Sequence, residues 1–123
     1  DVIEGKFTES GFIENIVVVG ENQKYAGAII IPDFAFLKTW CQKHEIKFTT
    51  PQEMINDKTV KARYAEEVKK INQHFGDTEK IKRYELIADE WSVANGLLTP
   101  TLKVKRKVIL GQYKDLIDKM YKE

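Results

Sequence analysis

The chain has 123 residues, 42% of them hydrophobic, with 20 lysines and arginines against 19 acidic side chains and a net charge of +1. That length suits one domain with a modest core, and the near-neutral balance gives no support to a nucleic-acid role for the chain as a whole. The longest near-apolar run, residues 25–32, is far too short to span a bilayer, no secretory signal is present, and the single Cys41 cannot form an internal disulfide, which favours a reducing compartment.

A chain that opens on Asp1 rather than Met reads as a fragment or a processed product. Val2 to Ser10 suits a short helix, because Ile3 and Phe7 lie on one face, and Ser10-Gly11 stops it. Phe12 to Val19 reads as a strand. Its unbroken Ile16-Val17-Val18-Val19 implies burial on both faces. Gly20-Glu21-Asn22 is a turn, and Tyr25 to Ile31 is a second strand that pairs with the first as a hairpin. Pro32 closes that strand, and the Asp33 carboxylate can cap the helix that follows.

Phe34, Leu37, Cys41 and His44 recur at helical spacing, which predicts a helix over 34–45. Thr50-Pro51-Gln52-Glu53 has the form of a capping box with proline at the first helical position. Val60, Tyr64, Val68, Ile71 and Phe75 form the apolar stripe of a longer helix over 59–75, ended by Gly76-Asp77. Ile81 to Ile87 suits a third strand and Trp91 to Thr101 a loop. Ile109, Tyr113, Leu116 and Met120 mark one last helix. The order predicts a single α/β (α+β) domain, a small sheet of about three strands with helices packed on it.

Most candidate chemistry has a plain structural explanation. His44 and His74 sit on different predicted helices, and no Cys/His/carboxylate set has metal spacing. Cys41 lies on an apolar stripe, which reads as a buried, inert thiol. Gly20 to Lys24 lacks the glycine spacing of a phosphate loop. Trp40 and Trp91 suit packing, one of them half exposed.

The exception is Lys103, Lys105, Arg106 and Lys107, four cations in five residues where the last helix should start. Positive charge at a helix N-terminus opposes the macrodipole, at about a few tenths of a kcal/mol each. Three readings stand side by side: a solvated helix entry, an anion site in which ammonium groups meet phosphate or carboxylate, and a nucleic-acid patch. No aromatic residue is interleaved with the cations, which weakens the last.

Four stretches carry a family resemblance. "LTPTLKVKRKVI" (98–109), followed by "YKDLIDKMY", resembles the end of long-chain acyl-CoA synthetases, members of the adenylate-forming superfamily. "VIEGKF" (2–7) is similar to the segment just after the superfamily's hinge and glycine-rich loop. "GFIENIVVVGENQKYAGAIIIPDF" (11–34) is similar to its strand pair, and "IKRYELIADEWSVANGLLTPTLK" (81–103) runs into its lysine motif. The resemblance covers nearly the whole chain and implies that residues 1–123 are the small C-terminal lid that closes over a large N-terminal domain.

The superfamily's closing motif is commonly Pro-Lys-Thr-x-Ser-Gly-Lys, whose final lysine contacts the carboxylate and the ATP phosphate. With its threonine on Thr101, that lysine falls on Lys105. Lys103 and Val104 replace Ser-Gly, as in the long-chain branch, which reads Thr-Pro-Thr-x-Lys-x-Lys-Arg. The resemblance therefore implies Lys105 as the catalytic lysine of adenylation, with Lys103 and Thr101 as secondary substrate- or phosphate-contacting residues. Arg106 and Lys107 would set local potential or sit in solvent.

It further implies ATP, magnesium, a fatty acid and coenzyme A as ligands held mainly by the N-terminal domain. The chain alone is then expected to be inactive, without nucleic-acid partners, and cytoplasmic. Peripheral membrane association is open through the hydrophobic substrate, although no basic, aromatic-rich amphipathic helix argues for it. The alternative is a stand-alone module that uses residues 103–107 to bind an anionic partner or nucleic acid.

Overall fold

The computed structural model describes residues 1–122. The elements are α1 (Val2–Phe7), β1 (Ile13–Val19), β2 (Ala26–Pro32), α2 (Phe34–Lys43), α3 (Pro51–Asn56), α4 (Lys58–Asn72), β3 (Ile81–Leu86), α5 (Arg106–Gln112) and α6 (Lys114–Tyr121). The three strands form one sheet in the order β1-β2-β3. β1 and β2 are the predicted antiparallel hairpin, with Val17 opposite Ile29. β3 lies parallel to β2, with Tyr84 opposite Ala28. A parallel neighbour needs a crossover, and residues 33–80, with α2, α3 and α4, supply it.

Strand alternation builds a core on each face of the sheet. Ile16, Ala28 and Ile30 face one cluster with Phe7, Leu37, Tyr64 and Val68. Val17, Val19, Ile29 and Ile31 face the other, with Trp91, Leu97, Ile109 and Tyr113. The apolar run in β1 is thus buried on both faces, as its composition predicts. Three layers result: α1 to α4, the sheet, and the C-terminal segment with α5 and α6.

Local capping follows the sequence closely. The Asp33 carboxylate accepts from Phe36 N–H at 3.0 Å, and Thr50 Oγ1 accepts from Glu53 N–H at 3.1 Å. The returning half of the capping box reaches one residue further back, where Glu53 accepts from Thr49 N–H at 2.7 Å and Thr49 Oγ1 at 2.6 Å. These bonds hold the Glu53 carboxyl below its ordinary pKa. The edge of β3 is closed at Ile81 by Asn72, whose side chain bonds both Ile81 N–H and Ile81 C=O at 2.9 Å.

The last helix of the sequence reading is two helices. Tyr113 stands between α5 and α6 with non-helical φ −105° and ψ 20°. Its hydroxyl is held from outside the helix, as described below, and Gly111 just before it weakens helical continuity. Among the described residues no helix is long and apolar enough to cross a membrane.

Tyr64 is fully buried and donates to Phe12 C=O at 2.7 Å. The phenols of Tyr64, Tyr84, Tyr113 and Tyr121 are all pushed up, with burial the first cause in each. A raised folded-state pKa leaves its stability fully present below the ordinary phenol value of about 10. That stability is lost as pH rises through the folded values. An alkaline titration is therefore expected to show phenolate absorbance rising in a cooperative step that coincides with loss of helical circular dichroism. Smooth ionisation of these tyrosines near the ordinary value, with the fold intact, would contradict their burial.

Candidate functional site

The segment before α5 is more ordered than the loop its composition suggests. Asn95 ties off its entry. The Asn95 side-chain oxygen accepts from Ser92 N–H at 3.0 Å and Leu97 N–H at 3.3 Å, while its amide donates to Glu90 C=O at 2.7 Å. Gly96 follows with φ +81°, the left-handed region that favours glycine. Residues 97–105 then fold into a small hairpin. Leu98 and Val104 form an antiparallel bridge, Thr99 N–H donates to Lys103 C=O at 2.8 Å, and Lys105 N–H donates to Leu97 C=O at 2.9 Å.

The hairpin tip is a turn. Leu102 N–H donates to Thr99 C=O at 2.7 Å, which puts Pro100 at the second position, where its fixed φ fits. Leu102 has φ +64° and is 66% exposed, an apolar side chain held out at the tip. Only the returning side of the hairpin alternates, with Val104 inward between Lys103 and Lys105. Leu97 and Leu98 are buried in the second core and Val104 packs against it, whereas Lys103 and Lys105 are exposed. Thr101 is exposed, with its hydroxyl 3.1 Å from that of Thr99. Among the described residues neither Lys103 nor Lys105 forms an ion pair. Neither lysine lines the groove between α3 and β3 or the one between α4 and β3.

Two anchors fix the base of this arm. On one side Trp91 Nε1 donates to Tyr113 Oη at 2.9 Å, and Tyr113 Oη donates to Asp89 Oδ2 at 2.7 Å. On the other, Arg106 is exposed, and its guanidinium is also tied to α1 and β1. Its Nη1 lies 3.3 Å from Glu4 Oε2, and its Nη2 donates to Val18 C=O. Residues distant in sequence make both anchors, so composition near the lysines carried no sign of Asp89 or Glu4.

The helix-dipole conflict is smaller than the sequence suggests. Lys103 and Lys105 precede α5, whose cap residue is Lys105, and only Arg106 and Lys107 stand in its first turn. The Arg106 charge is met by Glu4. Cys41 is fully buried, and burial first, then the Asp57 charge, pushes its thiol up, away from the reactive thiolate. Trp40, by contrast, is only partly buried and stacks on His44 at 4.1 Å. Among the described residues no three His, Cys, Asp or Glu side chains gather as a metal site.

The family profile "AMP-binding enzyme C-terminal domain" matches residues 2–123. The Arabidopsis thaliana chloroplastic long-chain-fatty-acid–[acyl-carrier-protein] ligase AEE15 is 30% identical over 119 residues, covering 97% of this chain and 15% of that protein. Human long-chain-fatty-acid–CoA ligase 6 is 31% identical over 122 residues, covering 97% of this chain and 17% of that protein. This chain thus spans only a small part of the relatives it matches. The fold is similar to part of the carboxylic acid reductase A-PCP didomain from Segniliparus rugosus solved with AMP. There the TM-score is 0.74 at 18% identity, over 98% of this chain and 15% of that one. By its sequence over residues 2–123, the chain belongs to the AMP-binding enzyme C-terminal domain family.

Proposed function

We propose that this domain is the C-terminal lid of an AMP-forming long-chain fatty-acid–CoA ligase, and that Lys105 is its adenylation lysine. The single observation that supports Lys105 best is its place at the root of the arm. Its N–H is bonded to Leu97 C=O and its own C=O accepts from Ile109 N–H at 3.0 Å, yet its side chain is exposed and free of an ion pair among the described residues. The backbone is fixed while the ammonium is available. Lys103 sits two residues closer to the tip, beside Leu102 at positive φ.

The chemistry asks for such a group. Adenylation brings a carboxylate against the α-phosphate of ATP and expels pyrophosphate, so two anions meet and negative charge grows on the way to the transition state. An ammonium delivered into a water-poor cleft stabilises that charge. Little covalent work remains for this domain. Thr101 and Lys103 lie on the same arm and serve as secondary phosphate contacts. The N-terminal domain of the same enzyme supplies the pockets for ATP, magnesium, fatty acid and coenzyme A.

Two measurements test this reading. Lys105→Ala in the full-length enzyme is expected to lose acyl-adenylate formation while keeping thioester formation from supplied acyl-adenylate. The 123-residue chain alone is expected to form no acyl-CoA from fatty acid, ATP, magnesium and coenzyme A. Turnover by the isolated chain would overthrow the division of labour between the two domains.

A further inference from the structure

We infer that Glu4 and Arg106 are positioning residues for Lys105: together they lock the root of the lysine arm to the end of β1. The inference rests on Lys105 being the adenylation lysine. The two side chains meet across 102 positions of sequence. Arg106 follows Lys105 directly and opens α5, a helix whose cap position makes no side-chain hydrogen bond. The tie from Arg106, a donor only, satisfies no first-turn N–H but holds the start of the helix to the sheet.

The geometry is that of a two-pronged clamp. Val18 belongs to β1, an edge strand of the sheet. Its N–H donates to Glu4 Oε2 at 2.7 Å, and its C=O accepts from Arg106 Nη2. The same Glu4 oxygen lies 3.3 Å from Arg106 Nη1. One carboxylate and one guanidinium thus take both backbone groups of a single edge residue and join each other. The planar guanidinium fork reaches two different acceptors, which a lysine ammonium on a flexible stem does not reproduce.

The clamp contributes more to direction than to stability. The Arg106 side chain is 45% exposed and that of Glu4 16% exposed, and an ion pair with an exposed partner adds little to folding. Its consequence is orientation. With Arg106 held to β1 and the Lys105 backbone held to Leu97 and Ile109, the Cα–Cβ bond of Lys105 is fixed relative to the sheet, and only its side-chain rotamers stay free. Small misplacements of a catalytic group cost rate far beyond their cost in stability.

The test uses the full-length enzyme, assayed separately for acyl-adenylate formation and for thioester formation from supplied acyl-adenylate. Glu4→Ala and Arg106→Gln are each expected to lower kcat for adenylation by about tenfold to a hundredfold. KM for ATP, the thioester step and the melting temperature should stay near wild type. Glu4→Gln, which keeps the acceptor, is expected to recover most of the rate, and Arg106→Lys little of it. The double variant should be no slower than the worse single one, because both remove one clamp. In the 123-residue chain, exchange of the hydrogen-bonded Lys105 and Ile109 amides should quicken in Arg106→Gln while β2 amides keep their protection.

Full adenylation by both Glu4→Ala and Arg106→Gln, with Lys105→Ala crippled, would overturn the clamp alone. Parallel loss of both half-reactions with a large fall in melting temperature would also overturn it, as a merely structural role. Intact adenylation by Lys105→Ala would bring down the underlying reading, and the clamp's catalytic role with it.

Discussion

Lys105→Ala in the full-length enzyme is expected to slow acyl-adenylate formation by about 10²–10³-fold, the usual loss when one preorganised donor to a charged transition state is removed. Thioester formation from supplied acyl-adenylate should be largely spared. The two outcomes differ because charge develops in the two steps at different places. Adenylation needs a cation between carboxylate and α-phosphate. On the proposed reading, the second step needs the coenzyme A thiol at a carbonyl that is already activated, with the lysine withdrawn.

Two companion variants sharpen the result. Lys103→Ala should cost clearly less than Lys105→Ala, because the motif resemblance puts the final lysine on Lys105, and Lys103 sits two residues nearer the hairpin tip. Lys105→Arg should rescue poorly, since a planar guanidinium is larger and less compact than an ammonium. Equal loss of both half-reactions in Lys105→Ala, or a deeper loss in Lys103→Ala, would count against the assignment.

Much of the fold was legible because it is written locally. Asp33 and Thr50 cap their helices through contacts within three residues, and such contacts follow from side-chain chemistry alone. The β1–β2 hairpin lies across a short turn, and the apolar run in β1 announced its two buried faces. What was not legible depends on distant partners. The parallel pairing of β3 with β2 needs the whole crossover of α2, α3 and α4. The break at Tyr113 needs Asp89 and Trp91, more than twenty positions away by the separations of 24 and 22.

The candidate site divides the same way. Family resemblance singled out Lys105 within the basic run, whereas charge and spacing left a solvated helix start and an anion site as equal readings. The hairpin around it follows from turn chemistry that can be read afterwards: Asn95-Gly96 at the entry and Pro100 at the tip. Glu4 could not have been found from sequence. It stands in an ordinary amphipathic turn, and only the packing of α1 on β1, with α5 close by, brings it to Val18 and Arg106.

The largest stability losses should come from β2, and they should separate by face. Ile29 and Ile30 are both fully buried, adjacent in sequence, and directed into different clusters, Ile30 toward α1 to α4 and Ile29 toward the arm and α5. Truncation of either to alanine is expected to cost about 2–5 kcal/mol in urea unfolding, from lost burial and the cavity left behind. Against a total of about 5–15 kcal/mol for a domain, either loss is severe but survivable at low temperature. Their functional effects should differ even where their stabilities match. Ile30→Ala should raise amide exchange in α4, around Tyr64 and Val68, which pack on its face. Ile29→Ala should raise exchange over residues 97–110, because Leu97, Leu98 and Ile109 pack on the other. If the layer beneath the arm positions Lys105, Ile29→Ala slows adenylation more than Ile30→Ala at equal stability. Identical exchange patterns and identical rates in the two variants would mean that the faces of β2 do not act as separate supports, and that the lysine arm draws its order from the fold as a whole.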